Sequence, residues 1–137
     1  MNIHIIADHL NSLADNSDTG MTFDCQPISG EVDVLQITIL GREELPIFVS
    51  VTDDQIICIS YLWGTDEVKP DCIAAMHESM LEMNIPMPLS SFSKISDKYV
   101  IFGALSINSS FEDIEHELAV LSNNALEVID DMGDYLL

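Results

Sequence analysis

A long apolar stripe near the C-terminus constrains the fold of this chain more than any other feature. Its members alternate at four- and three-residue intervals: Ile114, Leu118, Leu121, Ala125, Val128, Met132 and Tyr135. This spacing places all of them along one side of an α-helix. Leu126 and Ile129 widen the stripe beyond a pure coiled-coil seam, and Ser110 with Asp113 forms a capping-box-like start. We therefore predict a final helix that crosses a whole sheet or pairs with a second copy of the chain.

Two more helices and six strands are predicted before this helix. Residues 2–14 form an amphipathic helix with Asn2 as its N-cap, and Pro70 opens a second helix over 71–84, which the segment 85–88 ends. The predicted strands are 21–25, ended by Pro27, then 34–40, 47–51, 56–63, 91–95 and 99–105. The strand at 56–63 is almost unbroken in apolar residues, which predicts a central strand covered on both faces.

The order of these elements is α-β-β-β-β-α-β-β-α. Runs of strands interrupted by helices and joined by short links favour an α+β fold, with an antiparallel sheet of five to six strands and helices packed on it. The chain has 137 residues and no convincing linker, so we predict a single domain over residues 1–137.

The charge of the chain restricts its partners. It carries 24 acidic and 4 basic residues, a formal net charge of −20, yet 47% of its residues are hydrophobic, so the charge must cover the outside of a folded core. Such a surface repels nucleic acid and anionic lipid and attracts basic proteins. No apolar run approaches the roughly 20 residues of a membrane span. The start of the chain does not resemble a signal peptide, and the three cysteines show no CxxC spacing, so we expect a cytoplasmic protein with free thiols.

No motif for catalysis or cofactor binding is present, and we expect neither enzymatic activity nor a cofactor. The glycines are scattered without a GK pair, and neither a dinucleotide fingerprint nor a nucleophile elbow occurs. The best titratable cluster is Glu112, Asp113 and His116, where Glu112 and His116 share a helix face. A metal-dependent enzyme that uses these three residues and a fourth ligand from elsewhere is therefore the alternative function.

The acidic end of the sequence indicates protein binding. No Lys or Arg occurs between Tyr99 and Leu137. We predict electrostatic docking of a basic, helical protein on the outer face of the last helix, through Glu112, Glu115, Asp130, Asp131 and Asp134. Apolar contact is assigned to Ile73, Met76, Met80 and Met83, since methionine recurs on adaptable binding surfaces. Two alternatives stay open: a merely solvated acidic face with the methionines in the core, and a self-associating structural protein whose last helix pairs with its twin.

Four segments resemble the YjfI family, small bacterial proteins of unknown function: LPIFVSV at 45–51, YLW at 61–63, NIPMPLSSF at 84–92 and YVIFGALS at 99–106. The resemblance implies a gene that lies beside one for a protein like phage-shock protein A, a membrane-remodelling coiled coil, and so implies that protein as a partner. The order of elements is also similar to that of type III secretion chaperones and YbjN proteins. This second likeness implies homodimerisation and binding of a segment of a partner.

Overall fold

A computed structural model describes all residues, Met1 to Leu137. Its helices are α1 (Ile3–Leu13), α2 (Ile73–Met83) and α3 (Phe111–Asp131). Its strands are β1 (Phe23–Ile28), β2 (Val34–Ile39), β3 (Ile47–Val51), β4 (Gln55–Gly64), β5 (Ser91–Ile95) and β6 (Lys98–Ser106). The six strands form one sheet in the order β1-β2-β3-β4-β6-β5, and every neighbouring pair is antiparallel. The predicted α+β class and order of elements are confirmed.

All three helices contribute to a core on one face of the sheet. Helix α1 packs across β1, β2 and β3, and α3 packs across β4 and β6. The apolar stripe of α3 is buried against these strands, since its residues from Ile114 to Met132 belong to the main core cluster. The stripe therefore faces its own sheet and is not available for pairing with a twin helix.

The second face of the sheet carries no helix, and this corrects the prediction for β4. The strand is central, but only alternate residues such as Ile56 and Cys58 are fully buried. Ile57 and Ile59, which point the other way, are partly exposed, and Tyr61 is 43% exposed. An antiparallel sheet can leave one face to solvent, so an apolar run alone did not prove that both faces are covered. We call this second face the open face.

The ends of several elements also differ from prediction. Strand β1 continues through Pro27, which is tolerated because an edge strand can spare one backbone donor. A 3₁₀ turn at Pro70–Cys72 precedes α2, so Pro70 opens that turn instead. Helix α3 ends at Asp131, and Tyr135 lies in a following 3₁₀ turn, Gly133–Tyr135. Leu136 then bridges to Val68, which ties the C-terminus to the segment after β4.

Asparagine side chains cap both edges of the sheet. Asn11 of α1 accepts a hydrogen bond from the backbone N–H of Cys25 in β1, with 3.1 Å between Oδ1 and N. At the opposite edge, Asn84 accepts from the N–H of Phe92 in β5 at 2.7 Å. Unpaired edge donors invite pairing with another chain. Each cap occupies one such donor on its edge strand.

Candidate functional site

The surface carboxylates have almost no cationic neighbours. Only one carboxylate lies within 4.0 Å of a basic nitrogen, the 3.2 Å contact of Glu115 with the His9 ring. Arg42 instead donates to Ser122 Oγ and Asn123 Oδ1, and the Lys69 ammonium donates to the backbone oxygen of Asp134. The negative charge of the molecule is therefore not neutralised internally.

The acidic residues concentrate where they cost stability. Glu127, Asp130 and Asp131 lie in the last turns of α3 and Asp134 in the turn after it, and no basic residue is present in the last turn. All four are exposed, and we call them the acidic end of α3. The C-terminus of a helix carries a partial negative charge, so each nearby carboxylate is unfavourable by about 0.3–1 kcal/mol.

A shallow depression accompanies the acidic end of α3. Its volume is about 590 Å³, and Glu127, Asp130, Leu126 and Ile129 contribute to its lining. Leu126 is 42% exposed there although it belongs to the widened apolar stripe. The depression thus offers apolar contact next to unpaired carboxylates, a combination suited to an amphipathic cationic segment.

The first turn of α3 contains the remaining predicted docking residue and the predicted metal ligands. Glu112, Asp113 and His116 are all exposed. The backbone N–H of Asp113 donates to Ser110 Oγ at 3.1 Å, which confirms the predicted cap. Glu112 and Asp113 complement the positive N-terminus of the helix. No group of three or more His, Cys, Asp or Glu side chains in the protein could hold a metal ion, so the fourth ligand that the metal alternative needs is not brought to this turn.

Glu115 was wrongly assigned to the outer face of α3. It is 5% exposed, and its Oε2 lies 3.2 Å from Nε2 of His9 on α1. The His9 ring also stacks on Phe111, with centroids 4.1 Å apart and an interplanar angle of 9°. Glu115 therefore joins α1 to α3 and cannot take part in docking.

The methionines of α2 were also assigned too freely to a binding surface. Met76 is 0% and Met80 5% exposed, and both belong to the core cluster, while Met83 packs partly buried against it. Ile73 alone, 40% exposed, stays accessible. The alternative that placed the methionines in the core describes them better, because Met76 and Met80 are buried within the core cluster.

A cleft of about 300 Å³ separates α2 from β5 and β6. Met80, Phe92 and Tyr99 give it an apolar lining, and Lys94 stands at its side. The Tyr99 hydroxyl and Nε2 of His77 lie 2.8 Å apart in a hydrogen bond across it. The cleft is small, so we regard it as secondary to the acidic end of α3.

Sequence reasoning missed a buried carboxyl under α3. Glu117 is 3% exposed, and its Oε1 is buried without a hydrogen-bond partner. Burial raises the pKa of Glu117, and the nearby His116 lowers it in part. Gly103 in β6 makes room for this side chain, since a Cβ at Gly103 would overlap Oε1. The signal was present: Glu117 follows Ile114 by three positions and precedes Leu121 by four, which places it on the apolar face.

The two buried thiols, Cys25 and Cys58, have low reactivity. Burial, with a smaller contribution from Glu117, raises the pKa of Cys58 to about 12. Burial and the neighbouring Asp24 raise the pKa of Cys25 to about 12 as well. Because the thiolate is the reactive form, both cysteines act as small apolar core residues. All three cysteines are free, as predicted.

The fold and the unpaired acidic surface define a small α+β protein with a six-stranded antiparallel sheet backed by helices on one face. None of its helices is both long and apolar enough to cross a membrane. The chain belongs to the DUF2170 family, uncharacterized proteins conserved in bacteria, whose profile matches residues 3–136.

Sequence relatives confirm the resemblance to YjfI proteins. The uncharacterized protein YjfI of Escherichia coli K12 is 32% identical over 113 residues, which cover 79% of this chain and 83% of the relative. YjfI of E. coli O157:H7 matches to the same extent. These relatives place the chain in a family without supplying an activity.

A solved structure confirms the predicted likeness to YbjN. The crystal structure of YbjN from E. coli, described there as a proposed transcription regulator, has a TM-score of 0.70 and covers 100% of this chain and 96% of its own. The two sequences are 15% identical, so the similarity concerns the fold alone. The likeness to type III secretion chaperones stays a prediction.

Proposed function

We propose that the protein is a non-enzymatic, chaperone- or adaptor-like module of the cytoplasm that binds a basic segment of another protein. The observation that carries the proposal is the acidic end of α3. The carboxylates of Glu127, Asp130, Asp131 and Asp134 form no salt bridge at the helix end that disfavours negative charge, and Lys69 contacts only the backbone oxygen of Asp134. An arrangement that lowers stability without a structural benefit is typical of a binding surface.

The partner that fits this surface is a cationic amphipathic helix. Its lysines and arginines would meet the four carboxylates, and its apolar side would contact Leu126 in the adjoining depression. Glu112, exposed at the other end of α3, would extend the attraction along the helix. A protein like phage-shock protein A, implied by the resemblance to YjfI proteins, is the specific partner that we propose.

The decisive variant combines Asp130→Asn, Asp131→Asn and Asp134→Asn. Removal of these charges should raise the free energy of unfolding, by about 0.3–1 kcal/mol for each carboxylate near the helix end. The same variant should bind a recombinant phage-shock-protein-A-like protein at least about tenfold more weakly in calorimetric titration, because attraction between unpaired charges is lost. A gain in stability combined with a loss of binding would separate a docking role from a structural one.

The matched control removes three exposed carboxylates elsewhere, by Glu31→Gln, Asp53→Asn and Asp54→Asn. It has the same net charge as the first variant, so it shows whether position matters beyond total charge. Wild-type binding should also weaken between about 50 mM and about 500 mM salt, which shortens the Debye length severalfold. Equal losses in both variants, or binding that salt does not change, would contradict docking at the acidic end of α3.

A further inference from the structure

The open face of the sheet is largely apolar over five strands and carries no carboxylate there. Strand alternation and pairing register place these side chains of β2–β6 outward on this face: Val34, Gln36, Thr38, Phe48, Ser50, Gln55, Ile57, Ile59, Tyr61, Ser91, Ser93, Ile95, Lys98, Val100, Phe102, Ala104 and Ser106. Lys98 is the only charged one. The large ones meet across neighbouring strands, since Ile59 of the central strand lies between Phe48 and Phe102.

These apolar side chains are not part of the core. Phe48, Ile57, Ile59, Tyr61 and Phe102 neither belong to the core cluster nor pack against it. Tyr61 is 43% exposed and the other four are partly exposed. The Phe48 and Tyr61 rings contact each other edge to face, 5.7 Å apart, so the patch already has an ordered surface. A contiguous exposed apolar patch of this kind marks an interaction surface.

The acidic residues avoid this sheet. Of the 24 acidic residues, Asp24 is the only one within a strand, and that strand is the edge strand β1. All others lie in helices, turns and loops. Asp24 shares the open face through its pairing with Thr38 at the β1 edge, and no other carboxylate of a strand lies on this face.

We infer that the open face is the contact surface between two copies of this chain. Two molecules of charge −20 repel each other wherever carboxylates oppose carboxylates, whereas strands β2–β6 of two open faces offer no carboxylate to each other. A basic partner gains no electrostatic attraction from a surface that lacks carboxylates. Asn11 and Asn84 each occupy one backbone donor of the two edge strands, which leaves the edges less free to pair. The two sheets would pack as a β-sandwich about a twofold axis near Ile59.

The mass in solution tests this inference without reference to the proposed partner. Light scattering behind size-exclusion chromatography should give twice the 15.2 kDa of one chain. High salt should tighten the dimer, because it screens the repulsion between the acidic surfaces outside the contact. Docking of a basic partner should respond to salt in the opposite direction, so the two associations can fail separately.

Two lysine substitutions test the location of the contact. Ile59→Lys places a charge at the centre of the face, and Ala104→Lys does so at an exposed small residue that the fold tolerates more easily. Each should weaken the dimer at least about 30-fold, the loss expected at an interface hot spot. Leu81→Lys is the matched control, since Leu81 is 70% exposed on α2 and the change in charge is the same.

We expect the wild type and the Leu81→Lys variant to be dimers. We expect Ala104→Lys to be a folded monomer, and Ile59→Lys to be a monomer as well if that variant folds. Circular dichroism confirms folding. A wild-type chain that is monomeric at about 100 μM, far above the dissociation constant of a specific interface, overturns the inference even if another protein occupies the face. A dimer that survives Ala104→Lys, or that Leu81→Lys disrupts equally, overturns it too.

Discussion

Glutamates of α3 show how one residue type serves three purposes on a single helix. Glu112 is solvated at the N-terminus, Glu115 is buried but bonded to His9, and Glu117 is buried with an oxygen that has no partner. Their places around the helix differ by about 100° per residue, so burial changes completely over five positions. A buried carboxyl is costly unless it is bonded or protonated: His9 bonds Glu115, and burial raises the pKa of Glu117.

Glu115→Ala should destabilise the protein more than Glu112→Ala. The first change removes the acceptor of His9 and the contact between α1 and α3, so we expect a loss of about 1–3 kcal/mol in the free energy of unfolding. Glu112 is exposed, and its change should stay within about 0.5 kcal/mol. Urea unfolding of both variants measures this. Similar values for the two would show that the His9 contact does not contribute to stability.

Glu117 should make stability fall as pH rises. Burial raises its pKa in the folded protein above the ordinary 4.5. At a pH between the unfolded-state pKa and the folded-state pKa, the unfolded chain has released a proton that the folded chain keeps. The contribution of the protonated group is therefore complete below pH 4.5 and is lost as pH rises through the folded-state pKa. Glu117→Gln should show a shallower decline in unfolding free energy from pH 5 to about pH 8 than the wild type. Parallel curves for the two proteins would contradict a raised pKa of Glu117 in the folded protein.

Contact between α3 and the sheet depends on the missing side chain at Gly103. This glycine lies in β6, opposite Cys58, at the place where the Glu117 carboxyl reaches the sheet. Its negative φ shows that space, not backbone freedom, requires glycine there. The carbonyl oxygen of Leu89 closes the site from the other side, 3.1 Å from where a Cβ would stand. The close approach of α3 to β6 thus depends on the absence of a Cβ at Gly103.

Gly103→Ala should destabilise the protein by about 1–3 kcal/mol, the cost of overpacking a filled core. Combination with Glu117→Ala should restore part of this loss, because the carboxyl that the new Cβ meets is gone, while the Leu89 carbonyl remains. Gly133→Ala is the control, since nothing lies within 4 Å of its added Cβ. Thermal unfolding of the wild type, the single variants Gly103→Ala and Glu117→Ala, and the double variant measures the coupling between the two positions. Strict additivity of the two changes would exclude the close approach of Glu117 to Gly103.

The molecule as a whole separates its charge from its uncovered apolar surface. One side carries α1 and α3, and the other is the open face, on which Asp24 at the β1 edge is the only strand carboxylate. This separation supports two associations of different physical origin: an ionic one at the acidic end of α3 and an apolar one on the sheet. Salt should weaken the first and strengthen the second, because it screens attraction in one and repulsion in the other. One titration series can therefore distinguish them.

The sequence alone was sufficient for the elements and their order. Alternation of apolar residues identified β1 and β2, an almost unbroken apolar run identified β4, and the four-three stripe identified α3, because side chains on one side of a strand or helix recur at fixed periods. Element ends were less predictable. Pro27 remains in β1 only because that strand is at an edge, and edge position is a property of the sheet.

Tertiary structure alone decided which surfaces are free. Periodicity shows that a residue has an apolar side, but it does not show what covers that side. For this reason Glu115, Met76 and Met80 were misplaced on a binding surface, and β4 was predicted to be covered on both faces. The composition of this chain required an acidic exterior around an apolar core. Only the packing of α1 and α3 on one face left the other face of the sheet open, because coverage depends on contacts between residues far apart in the chain.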